Sequence, residues 1–385
     1  MSAKIAPFPI SVADEVLTDL HERLRRTRFP DRVENPNGLY GIDLDLLADV
    51  HDHWLHRFDW RQVERTLNSL SSFRYKHGDG ELHFLHIRGE GSNPLPLLFS
   101  HGWPGSVLEA LKIIPLLTQP SRFGASAQDG FDVIVPSLPG FGFSNSATQP
   151  GMNTFVIARL FSELMTELGY SRFVAQGGDF GAGVSTILGL KYPDRLHGVH
   201  LNYIPGSYRP YLAPGESPTA EEAGYLAGAG RWYEEHGAYA HVQRYEPQTL
   251  VIALNDSPMG LAAWIVDKFV RWGDCQGDVF TRFSMDELLA NVTLYWVTQS
   301  IGSSCRLYVE SRLAPLQLSK GERVTVPTAI ARLPKEIPMP PRPWVERGYN
   351  VTRWTDLPAG GHFAALEEPA LLAQDLREFC QQFRS

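Results

Sequence analysis

"AQGGDFGAG", residues 175–183, sets one carboxylate, Asp179, among four glycines. The apolar run "RFVAQ" leads into it and "GVSTILGLKYP", with the character of a helix, leads out. A sharp strand-to-helix turn of the pattern G-x-S-x-G exposes a serine nucleophile at the end of a sheet. Here Gly177-Gly178-Asp179-Phe180-Gly181 keeps the glycines and replaces the serine by aspartate. An aspartate at this point also serves to cap a helix. Crowding by glycine on both sides is more than a cap requires, which lowers the weight of the cap and leaves both readings of Asp179 open at this point.

Working outward, short apolar runs alternate with amphipathic stretches. "LPLLFSHG", "FDVIVPSLPG", "RFVAQGG" and "LHGVHLN" read as strands, whereas "SVLEALKIIPLL" and "TFVIARLFSELMTELG" read as helices. Repeated β-α-β units with nearly continuous apolar strands predict a mainly parallel sheet covered by helices on both faces. Residues 1–92 precede this core. They carry two helical patterns, "SVADEVLTDLHERLRRTRF" with Ser11 as its expected N-cap and "DLDLLADVHDHWLHRF", then a strand pair in "SSFRYKHGDGELHFLHIRG". The β-α rhythm of 93–203 stops near Tyr203. Residues 204–322 read as a helical, aromatic-rich insertion with one clear start at Ser284 and Glu287, spaced as a capping box. The sheet resumes in 323–385 with "RVTVPTAIARLP" and "YNVTRWTDL", and a last helix, "EPALLAQDLREFCQQF".

The chain's 385 residues with 43% hydrophobic and 20% charged composition are those of a globular protein. A net charge of -8 without any basic block argues against nucleic-acid partners. Cys275, Cys305 and Cys380 have neither zinc-site nor disulfide-framework spacing. No signal peptide, membrane anchor or spanning segment is expected, so a soluble, cytoplasmic protein is.

Three further stretches could carry chemistry with Asp179. "FSHGWPGS", residues 99–106, follows an expected central strand, so the backbone N–H groups of Trp103 and of Phe180 are candidates to stabilise an oxyanion. His362 in "AGGHFAALEEP" follows the last strand behind two glycines. A histidine base needs an orienting acid, and the order nucleophile, acid, histidine favours Glu336 over Asp356, with Glu310 and Glu322 behind. Without G-x-S-x-G a serine esterase is disfavoured. An aspartate nucleophile instead suits displacement at a saturated carbon, with epoxides or alkyl halides as substrates.

With "HGWPGS", "GGDFGAG" and "GGHFAALEEP" in this order behind "FPISVADEVLTDLHERLRRTRFP", the sequence resembles the α/β-hydrolase epoxide hydrolases of the microsomal and juvenile-hormone type along almost its whole length. The resemblance implies an α/β-hydrolase fold with a helical lid and an N-terminal section wrapped around core and lid. It implies Asp179 as nucleophile, His362 as base and Glu336 as orienting acid, in a motif usually written with phenylalanine where this chain has Leu333. Two lid tyrosines over the nucleophile match Tyr239 in "HGAYAHVQ" and Tyr308 in "SSCRLYVE". The implied reaction takes a small-molecule epoxide and water to a vicinal diol, with no cofactor and no metal. A homodimer is compatible with it.

Two other readings use the same residues. A haloalkane dehalogenase shares the aspartate chemistry, but commonly has tryptophan beside the nucleophile where this chain has Phe180. A non-catalytic hydrolase-like binding protein tends to lose nucleophile or histidine, and both are present here.

Overall fold

A computed structural model describes residues 4–35, 38–78 and 80–384. Among the described residues nine strands form one sheet: β1 Ile5–Pro7, β2 Ser72–His77, β3 Gly80–Ile87, β4 Leu95–Ser100, β5 Phe131–Pro136, β6 Phe173–Gly177, β7 Leu196–Leu201, β8 Val324–Arg332 and β9 Tyr349–Asp356. They lie in the order β1-β2-β3-β5-β4-β6-β7-β8-β9. β1, β2 and β3 pair antiparallel, β3 adds antiparallel to β5, and every pairing from β5 to β9 is parallel. The N-terminal section therefore extends the same sheet that carries the core.

The central parallel strands β4, β5 and β6 are largely apolar because both faces are covered, yet their residues still alternate, whereas β9 at the edge is mixed and only partly buried. Leu97, Phe99, Val133, Val135 and Val174 pack against the helices Ile113–Thr118 and Pro369–Cys380. Leu98, Ile134 and Ala175 point the other way, toward Thr154–Glu167, Asp179–Lys191 and the lid. The chain leaves β4 toward β5 on one side, while β6 lies on its other side. That reversal places the ends of β4 and β6 at a switch point, where open α/β sheets bind ligands.

Between β7 and β8 stand the helices Ala220–His236, Ala238–Tyr245, Pro247–Asp256, Pro258–Trp272, Met285–Val297 and Ile301–Leu313. The Ser284–Glu287 capping box closes in both directions, as expected. The lid is fastened to the loop after β4 by polar contacts: Asn291 Nδ2 donates to the Pro104 carbonyl at 2.7 Å and the Tyr295 hydroxyl to that of Gly105 at 2.8 Å. Leu20, Leu47, Val50 and Trp54 of the N-terminal section share one apolar cluster with lid residues. Among the described residues no single helix is long and apolar enough to cross a membrane.

Two local readings change. Ser11 does not cap the first helix, which runs Asp14–Arg25 behind Ala13. The Ile10 and Val12 N–H groups donate to Asn68 Oδ1 and Glu64 Oε1, which holds that segment extended along a third helix, Trp60–Ser69. The second helix, Leu44–His56, is capped by Asp43, whose carboxylate accepts from the Asp45 and Leu46 amides. "SVLEALKIIPLL" is not one helix but a 3-10 turn, Val107–Ala110, followed by Ile113–Thr118.

Candidate functional site

Asp179 starts the helix that follows β6 with φ at 46°, a left-handed conformation that a non-glycine residue adopts at a cost of roughly 1–3 kcal/mol. Its neighbours explain how the turn is accommodated. A Cβ on Gly181 would collide with the Ser100 carbonyl, and one on Gly102 with the Asp179 side chain itself. Absence of side chains at these two positions lets the ends of β4 and β6 close on the carboxylate. The Trp103 N–H donates to Asp179 Oδ1 at 2.9 Å. Phe180 sits in the first turn of the helix, where N–H groups have no intrahelical acceptor, and its ring meets that of Tyr308 edge-on at 4.9 Å.

His362 approaches from the loop after β9. Its Nε2 lies 3.5 Å from Asp179 Oδ2, and its Nδ1 lies 2.5 Å from Glu336 Oε1, the ring donating to the carboxylate. The backbone fixes it as well, its N–H donating to the Trp272 carbonyl at 2.9 Å. Burial alone would lower the imidazole pKa, but the Glu336 and Asp179 carboxylates outweigh that and hold it well above its ordinary value. The competing acids lie elsewhere. Asp356 pairs with Arg332 at 2.5 Å on an exposed edge, and Glu322 pairs with Lys191 at 2.7 Å. Glu310 lies on the lid helix Ile301–Leu313.

Tyr239 and Tyr308 come from different lid helices and meet at the same place. Their rings lie 6.0 Å apart, and each contacts the Trp103 ring, Tyr239 stacked at 5.5 Å and Tyr308 edge-on at 5.6 Å. Burial pushes both phenols far up, helped next by the charge of Asp179 at Tyr239 and by Tyr239 and then Asp179 at Tyr308, so both remain protonated donors. Every residue expected at the site is thus assembled around one carboxylate.

Glu109 belongs to the site without having been expected there. Its carboxyl oxygen lies against Gly105, where a Cβ would collide with it. Burial pushes the carboxyl up to about 8, with the charge of His362 lowering it and that of Asp179 raising it. Glu109, Ser100, Gln176, Asn202, Asp179 and His362 line a cavity of about 20 Å³, room for one water molecule. Ser100 Oγ and Gln176 Oε1 are buried there without a protein partner among the described residues. The only sequence signal for Glu109 was an acid inside the apolar run "SVLEALKII". Tyr203, whose ring meets His362 edge-on at 5.8 Å, lines a separate cavity of about 150 Å³ under the helix Ala220–His236.

Comparison with known proteins agrees with this fold. Residues 5–110 match the family model described as epoxide hydrolase N terminus, and residues 96–207 match that of the alpha/beta hydrolase fold. Epoxide hydrolase 1 of Oryctolagus cuniculus is 38% identical over 97% of this chain and 88% of its own length. The structure of the epoxide hydrolase of Aspergillus niger superposes with a TM-score of 0.86 at 31% identity, covering 99% of this chain and 97% of that one. That of the juvenile hormone epoxide hydrolase of Bombyx mori gives 0.87 at 30% identity, covering 99% and 95%.

Proposed function

The chain belongs to the epoxide hydrolases that join an α/β-hydrolase core to this N-terminal section, and we propose that it opens its substrate through a covalent ester on Asp179. Asp179 Oδ2 attacks one epoxide carbon and the carbon–oxygen bond of the ring breaks. The departing oxygen takes a proton from Tyr239 or Tyr308, whose burial keeps them protonated until the ring opens. Oδ1 becomes the ester carbonyl, already held by the Trp103 N–H.

His362 Nε2 then takes a proton from water while the water oxygen adds to the Asp179 carboxyl carbon. Negative charge develops on Oδ1, opposite the Trp103 and Phe180 N–H groups. Collapse breaks the bond to Oδ2, the diol oxygen takes its proton from His362, and the second water proton, left on the new Asp179 carboxyl, returns to the tyrosine that gave up its own. Glu336 holds the imidazole in the tautomer with Nε2 free and stabilises the cation that forms. A pKa held up by Asp179 falls once that charge is lost in the ester, so His362 becomes a competent base when a base is needed. The small cavity beside Glu109 suits the hydrolytic water.

One observation carries this reading: a carboxylate, not a serine, occupies the strained turn, with an N–H on one oxygen and a Glu-oriented histidine on the other. A single turnover in oxygen-18 water tests it. Label is expected in Asp179, because water attacks the ester, and label found only in the diol overturns the mechanism.

A further inference from the structure

Lys268 is buried in the lid, 6% exposed, on the helix Pro258–Trp272. Its Nζ lies 4.6 Å from the ring centre of Tyr239, 5.6 Å from that of Trp264 and 5.8 Å from that of Trp272. One carboxylate answers it: Asp267 Oδ2 at 2.5 Å. The other oxygen of Asp267 binds Arg271 at 2.7 Å. Two cations thus share one anion, and the excess positive charge faces the ring of a lid tyrosine. For packing alone a methionine would fill this place without the cost of desolvating an ammonium.

Ring opening asks something specific of Tyr239. Its phenol must give up proton density to the leaving oxygen, while burial disfavours any negative charge on it. Asp179, Tyr233, Tyr308 and Arg244 also act on this phenol, and the charge of Asp179 opposes ionisation until the ester forms. A cation against the ring face compensates both effects.

We propose that Lys268 is a positioning residue for ring opening, its ammonium stabilising the charge that the Tyr239 phenol takes on as its proton moves to the epoxide oxygen. The inference rests on the reading of Tyr239 as a proton donor. It assigns Lys268 to the first half-reaction alone, since hydrolysis of the ester runs through His362 and the two N–H groups.

Single-turnover stopped flow, following tryptophan fluorescence beside the nucleophile, separates alkylation of Asp179 from hydrolysis of the ester. Lys268→Met is expected to slow alkylation on the order of tenfold, the scale of a desolvated cation beside an aromatic face, with hydrolysis unchanged. In a Tyr239→Phe background the same substitution is expected to cost less than about twofold, because the group it acts through is gone. Lys268→Arg, which keeps the charge, restores most of the rate. Lys268→Gln is the second uncharged variant should the methionine variant fail to fold. Equal losses with and without the Tyr239 hydroxyl would show packing alone and overturn the proposal, as would a loss confined to hydrolysis. If Tyr239→Phe slows alkylation but Lys268→Met does not, only the role of Lys268 falls. If Tyr239→Phe leaves alkylation intact, the donor assignment falls and this proposal with it.

Discussion

Glu336, 26 residues before His362 in the chain, closes on its Nδ1 at 2.5 Å, whereas Asp356, much nearer in sequence, turns outward to Arg332. Strand β9 ends at Asp356, and the loop from there must still travel back over the sheet to deliver the histidine. The acid therefore comes from the end of the neighbouring strand β8. Glu336→Gln is expected to lower the hydrolysis rate by roughly a hundredfold or more, the scale of general-base catalysis. Asp356→Asn loses only an exposed ion pair, worth about 1 kcal/mol or less, and should keep full activity. Comparable losses in both variants would remove Glu336 from its role.

The proposed mechanism has the two lid tyrosines act on one oxygen from two helices, so neither should be indispensable. Tyr239→Phe and Tyr308→Phe are each expected to slow alkylation roughly ten- to hundredfold, with the remaining phenol still donating. The double variant should form no ester. Rapid-quench mass spectrometry of the protein reads this directly, and an active double variant would mean that the leaving oxygen is protonated by another group.

The pH dependence follows from the direction of the His362 shift. Protonated imidazole has no lone pair on Nε2 and cannot take a proton from water, so hydrolysis slows as pH falls through the histidine pKa. Alkylation uses no base and is expected to change less over the same limb. Ester should therefore accumulate to a larger fraction at about pH 6 than at about pH 8, the range over which a histidine commonly switches. His362→Ala should hold the ester at both, and Asp179→Ala should form none. A fraction of ester that shrinks on acidification would contradict the base assignment.

How much of this was legible in the sequence depended on whether a residue's role is written in its neighbours. Asp179 was readable because the glycines that let two strand ends close on it stand beside it in the chain. Trp103 was readable because it follows an apolar strand, and His362 because it follows the last strand behind two glycines. Glu336 was favoured by chain order and distinguished only by where two strands end. The 3-residue strand β1 and the helix Trp60–Ser69 passed unread, the one too short to show a period and the other rich in charge along "WRQVERTLNS". Lys268 was hidden for a similar reason. Within "VDKFVRW" a lysine between an aspartate and an arginine reads as a solvated face, and only the fold turns it onto Tyr239.

Glu109 gives the last prediction, and it couples stability to chemistry. Its carboxyl is held up to about 8 chiefly by burial, against 4.5 for an ordinary glutamate. A group whose folded pKa is raised favours folding below its unfolded pKa, and that advantage is lost as pH rises through the folded value. Between about pH 4.5 and 8 the native protein must keep Glu109 protonated while the unfolded chain releases the proton. Glu109→Gln carries no such proton. Its melting temperature should therefore exceed that of the parent by ~2 °C or more near pH 8.5, with the gap narrowing toward pH 4.5. Glutamine keeps a donor toward the 20 Å³ cavity, so ester hydrolysis at neutral pH should stay within about threefold of the parent. Glu109→Leu removes every polar contact to that space and is expected to slow hydrolysis by about tenfold, with alkylation unaffected. Equal hydrolysis rates in the two variants would mean that Glu109 serves the fold and not the water.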